Sequence, residues 1–369
     1  MGLSISSEAL KNFDIQSPYP MTFPRTRKVA LVITALLFST LACRAATRLI
    51  IPDTPTPDPP TLTPIPPTLT PIPTFTPTLV VSASCPVLTT DILDTALSFE
   101  GASKEDNDEE ESLASYSVDG DDLSQPFFEA AVPDDLKDER DDTATHESIW
   151  GFFTRLIPLE QREFVDGLFI VSDGSGNTLA AVGQSSNNPE EWILEVDILD
   201  ATDDYVLTVT LLHEFAHLLT LNSTQVPPSI PIFEDPDNDS IYQSELATCP
   251  QYFPGEGCSN PNSYINLFFE RFWFDLFAEW QEIKAEEDED TFHNMLDDFY
   301  DTYQDQFLTD YAPTSPAEDI AESWAFFVLS PKPERISIAS EKILFFYEFP
   351  ELVELRGEIL NQLCVEFPQ

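Results

Sequence analysis

The segment Leu211-Leu212-His213-Glu214-Phe215-Ala216-His217-Leu218-Leu219 constrains this chain more than any other stretch. From Asp203 to Leu221 the pattern is helical, with Thr202 as the predicted N-cap, acidic residues in the first turn and Asn222 as the stop. On such a helix His213 and His217 lie four residues apart and project from one face, with Glu214 beside it. Aromatic runs downstream, Phe268-Phe269 with Phe272-Trp273-Phe274 and Phe345-Phe346-Tyr347, read as core. Their density predicts helices that cover the histidine helix.

Two neutral imidazoles at this spacing can share a metal and suit zinc. A carboxylate between them can take a proton from water whose pKa the metal has lowered. The chain has four histidines in all, so random occurrence of the motif stands at roughly one in a few hundred. The bland alternative is a core helix with two incidental histidines. A catalytic zinc takes three protein ligands and keeps a position for water. A longer metzincin pattern needs glycine at 220 and histidine at 223, where Thr220 and Ser223 stand, and neither His146 nor His293 has a supporting pattern. The third ligand is therefore expected to be a carboxylate. In Tyr311-Ala312-Pro313-Thr314-Ser315-Pro316-Ala317-Glu318-Asp319-Ile320-Ala321-Glu322, Glu318 and Glu322 are also four apart on a predicted helix, and either could face the metal. Ser315 to Glu318 also reads as a capping box with proline at the first helical position, which would turn Glu318 back on its own backbone. Glu245 is the reserve ligand.

On these two segments the sequence resembles the gluzincin peptidases, most closely the catalytic domain of the anthrax lethal factor group. There a histidine pair and glutamate on one helix are completed by a glutamate in a Glu-x-x-Ala-Glu stretch, with a tyrosine seven residues before it. The resemblance implies that His213, His217 and Glu318 bind Zn2+, that Glu214 is the general base and that Tyr311 stabilises the oxyanion. It makes Glu322 a support behind the ligands. It also implies a zincin-like fold in which substrate peptide pairs with an edge strand beside the histidine helix, a role that Trp192 to Ile198 could fill.

With 17 basic and 66 acidic residues, the formal charge is -49, which repels phosphate backbones and excludes nucleic acid as the expected partner. Arg25, Arg27 and Lys28 precede 14 uncharged, mostly apolar residues, Val29 to Ala42, ending at Cys43. Such a run is an export signal, being shorter than the about 20 residues of a membrane helix. Thr40-Leu41-Ala42-Cys43 resembles a bacterial lipoprotein signal, which implies a lipid on Cys43 and membrane attachment outside the cell. Thr40 stands where that family usually has leucine, and ordinary secretion is the alternative. Met21 is a candidate true start within the signal segment, residues 1 to 43. Residues 44 to 84 hold a proline- and threonine-rich stalk, whose thirty-odd extended residues reach about 90 Å at polyproline geometry.

The remaining region, 85 to 369, is predicted to be one catalytic domain with an acidic mobile stretch near 100 to 145. Its four cysteines suggest disulfides in an exported chain, Cys249 with Cys258 and Cys85 with Cys364. A helix is expected over Asp91 to Phe99. Leu168 to Val171 and Thr178 to Val182 read as a hairpin, and Trp192 to Ile198 as a half-buried strand. Helices are expected over Ser263 to Glu286, Thr291 to Phe307, Pro316 to Leu329 and Ser340 to Gln362, the last broken at Pro350. Asp235, Asp237 and Asp239 start like a calcium loop, but Ser240 and Leu246 depart from it and a solvated loop is preferred. The fold class is α+β, a small mixed sheet followed by a mainly helical C-terminal part. The expected activity is hydrolysis of peptide or protein substrates, and the alternative is a zincin-fold surface binding lipoprotein without activity.

Overall fold

A computed structural model describes residues 110–174, 178–286 and 288–365, which fall in one compact unit of the chain. The signal segment, Met21, Cys43, the stalk, Cys85 and the helix expected over Asp91 to Phe99 lie outside these residues. The architecture is α+β, with a small mixed sheet and a helical C-terminal part.

The sheet begins inside the stretch expected to be mobile, with β1 (Glu111–Asp119), β2 (Asp122–Leu123) and β3 (Phe127–Phe128). From residue 111 onward that expectation is corrected. Acidic neighbours mask a strand whose Leu113, Ala114 and Tyr116 are buried. Two helices follow, α1 (Lys137–Asp141) and α2 (Thr143–Leu156). Asp142 caps α2 by accepting from the Thr145 amide at 3.2 Å, and Ile149, Trp150, Phe153 and Leu156 bury its inner face.

β4 (Val165–Ser172), β5 (Ala180–Ser185) and β6 (Asn188–Asp197) complete the sheet in the order β2-β1-β4-β6-β5, with β3 also on β1. β4 runs antiparallel to β1 and parallel to β6, while β5 is antiparallel to β6. The predicted hairpin of β4 with β5 therefore does not form, because β6 lies between them. The actual hairpin joins β5 to β6 through the two-residue turn Ser186-Asn187. The alternation read in β6 holds for Trp192, Leu194 and Val196, which are buried. β6 is interior and β5 is the edge strand, so the edge assigned to Trp192 to Ile198 belongs to Ala180–Ser185.

α3 (Asp204–Leu221) carries the histidines. Its cap is Asp203 rather than Thr202, the carboxylate accepting from the Tyr205 and Val206 amides at 2.8 and 3.0 Å. Asn222 ends it as expected. From Leu211 to Leu221 every residue of this helix is buried, which makes it the central element of the core.

The helices after it are α4 (Ile230–Glu234), α5 (Asp239–Thr248), α6 (Tyr264–Phe272), α7 (Phe277–Lys284), α8 (Glu289–Tyr303), α9 (Pro316–Leu329), α10 (Ile338–Phe346) and α11 (Pro350–Leu363). The single helix expected from Ser263 is two, since the chain turns between Phe272 and Phe277. Ser263 caps the first of them. Pro316 to Leu329 matches its predicted bounds, and Pro350 begins α11 as the expected break. Asn238 caps α5 at the acidic loop near Asp239. The aromatic runs pack the core at Phe268, Trp273, Phe345 and Phe346, whereas Phe274 is 70% exposed. α9 lies against α3, with Phe215 and Trp324 ring centroids 6.0 Å apart, and α3 also flanks β5. Among the described residues no helix is long and apolar enough to cross a membrane.

Candidate metal centre

α3 and α9 bring together three side chains that the chain separates widely. His213 Nε2 lies 2.9 Å from Glu318 Oε2, His217 Nε2 lies 3.4 Å from Glu318 Oε1, and the two Nε2 atoms are 3.2 Å apart. All three residues are buried, and their ligand atoms lie within 4.8 Å of one another. Such a group can hold a metal ion. Ligand atoms about 2 Å from a shared tetrahedral ion are separated by about 3.3 Å, so this spacing fits an N, N, O donor set.

The local sequence explains the convergence. One helical turn aligns His213 with His217 on α3. On α9 the Ser315 hydroxyl accepts the Glu318 amide at 3.1 Å, and the Glu318 side chain turns to the histidines instead of closing a capping box. Pro316 at the start of the helix lacks the N–H that would otherwise need a partner. One more turn along α9, Glu322 Oε1 lies 2.8 Å from His213 Nδ1. A proton on Nδ1 leaves the Nε2 lone pair facing Glu318, so the site is arranged to receive positive charge.

The electrostatics agree. Burial alone would pull His213 down, but hydrogen bonds and charge from Glu318 and Glu322 hold it well above the ordinary imidazole value. Burial pushes Glu318 up, yet His217 and His213 hold its carboxyl well below the usual range. Glu214 sits beside the pair at 8% exposure, and burial raises it to about 7, partly offset by the histidines and by a hydrogen bond with the Val182 backbone on β5. Tyr311 has its ring 6.0 Å from that of His213. Burial, and then the charges of Glu318, Glu214 and Glu322, raise it well above the ordinary phenol value, so it keeps its proton and can donate, as it does to Glu318.

Thus Glu214, Glu318, Glu322 and Tyr311 gather around the histidines. Glu245 does not: it accepts from the Ser229 hydroxyl at 2.9 Å. His146 pairs with Tyr116 at 2.7 Å, and His293 lies on α8, outside the ligand group. Cys249 and Cys258 form the expected disulfide, with Cα atoms 5.4 Å apart. Cys364 is disulfide-bonded as well, and its expected partner Cys85 lies outside the described residues. Two participants escaped sequence reading. The Val182 amide had no signal because strand order is invisible to alternation, and Asp319, next to Glu318, reads as an ordinary acidic residue in a first helical turn. Compared with known proteins, the chain matches no family model, no curated protein and no solved structure.

Proposed function

We propose that this chain is a zinc-dependent peptidase acting outside the cell. The observation that carries the reading is the meeting of Glu318 with His213, 105 residues away, beside a buried Glu214. Two histidines and one glutamate are a peptidase-type donor set that leaves a position for water, whereas structural zinc usually closes four protein ligands. When bound there, zinc supplies Lewis acidity to the scissile carbonyl and lowers the pKa of the attacking water.

The protein's own groups account for the remaining chemistry. Glu214, raised to about 7, takes the proton of the attacking water and delivers it to the leaving amine. Tyr311, held as a neutral phenol, donates to the developing oxyanion. Among the described residues β5 ends the sheet and lies beside α3, where an extended substrate can add as another strand. In this reading Cys43 carries the lipid that attaches the protein to the membrane.

The test is incubation of the zinc-supplied protein with a mixed peptide pool, with products read by mass spectrometry. Cleavage is expected from the parent protein and not from Glu214→Gln, which should still bind zinc. Cleavage retained in Glu214→Gln would sink the mechanism, and a zinc-loaded parent that cleaves nothing would favour the binding-lipoprotein alternative.

A further inference from the structure

Glu318 and Asp319 are neighbours in the first turn of α9, and successive side chains of a helix point about 100° apart. Glu318 reaches forward to the histidines. Asp319 reaches back into the protein, where its Oδ2 accepts from Trp273 Nε1 at 2.7 Å and pairs with Lys342 Nζ at 2.6 Å. Asp319 and Lys342 are both 0% exposed, and the ammonium lies 4.1 Å from the centroid of the Phe307 ring. Three parts of the fold, α9, α10 and the turn after α6, thus meet at one carboxylate oxygen.

A buried ion pair is a costly way to fill a core, because desolvation offsets most of its attraction and well-packed apolar residues often serve stability as well. What it adds is direction. A side-chain atom on a helix sits about 6 Å from the axis, so the roughly 0.2 Å tolerance of a metal bond corresponds to about 2° of helix rotation. Apolar packing is not directional, whereas an indole donor and a paired ammonium on separate elements restrain that rotation from behind.

We propose that Lys342 and Trp273, acting through Asp319, are positioning residues that set the rotation of α9 and so hold Glu318 in place at the metal. The proposal rests on the reading of His213, His217 and Glu318 as a zinc centre. It assigns to a lysine on α10, far from the ligands in sequence, a role in metal affinity.

Asp319→Asn combined with Lys342→Met tests it in the full chain. The asparagine carbonyl still accepts from Trp273, methionine replaces the lysine stem, and no lone charge stays buried. Trp273→Phe, which removes the other donor and keeps an aromatic ring, is the second variant. Zinc affinity is measured by competition with a chelating dye, and thermal melting of the metal-free proteins reports folding. Folded variants that bind zinc about 10- to 100-fold more weakly than the parent are the expected result. Parental zinc affinity in whichever variant folds overturns the positioning role and leaves the zinc centre standing. A parent protein that binds no zinc overturns both.

Discussion

His213 Nδ1 and Glu322 Oε1 lie 2.8 Å apart, although 109 residues separate them along the chain. On the neutral ring that a metal would bind, this contact keeps the proton on Nδ1 and leaves Nε2 to face the Glu318 side of the site. Glu322→Ala removes this acceptor without touching a ligand. Its zinc affinity should fall by about 10- to 100-fold, measured by chelator competition, while the fold is kept. Unchanged affinity would show that the ring is oriented by packing alone.

Tyr311 is predicted to matter to turnover and not to metal. Its ring lies near that of His213, and its phenol stays protonated beside three carboxylates. Removing one oxyanion donor typically costs about 10²- to 10³-fold in kcat. Tyr311→Phe should show a loss of that order on a cleaved peptide, with zinc content equal to the parent. A parental kcat would leave the tyrosine as packing.

The His146 site gives a pH dependence of stability that is independent of the metal centre. Its Nε2 lies 2.9 Å from the Glu139 carbonyl and its Nδ1 2.7 Å from the Tyr116 hydroxyl, so a neutral ring donates to the carbonyl and accepts from the phenol. Burial lowers its pKa below 6.5, against smaller opposing effects of the Glu139 carbonyl and Asp142. A base lowered in the folded state leaves the unfolded chain binding more protons below pH 6.5. Its contribution is therefore present above that pH and lost on acidification. Thermal melting from pH 7.5 to 5.5 should show a steeper fall in Tm for the parent than for His146→Gln, the difference between the two removing other titrating groups. Parallel curves would contradict the assignment.

The candidate metal site was more legible in the sequence than the sheet around it. Helical spacing is a local property, so His213 and His217, and Glu318 with Glu322, could be paired on paper before their helices met. Strand alternation reports burial but not neighbours, which is why β4 and β5 read as a hairpin while β6 in fact separates them. β1 was hidden by its acidic setting, although Leu113 and Tyr116 carry its buried face. Thr202 and Asp203 were adjacent candidates for one cap, and the carboxylate took it by accepting two amides. Lys342 was unreadable, because a lysine in a helix is ordinarily exposed and only Asp319 and Trp273, brought from elsewhere in the chain, reveal its burial.

Whether His213, His217 and Glu318 hold zinc is read from the metal content of the purified protein after zinc supply and desalting, by plasma mass spectrometry beside a His213→Ala, His217→Ala variant. About one zinc per chain is expected in the parent and none in the variant. A folded parent without zinc, or zinc that persists when both histidines are gone, would contradict it.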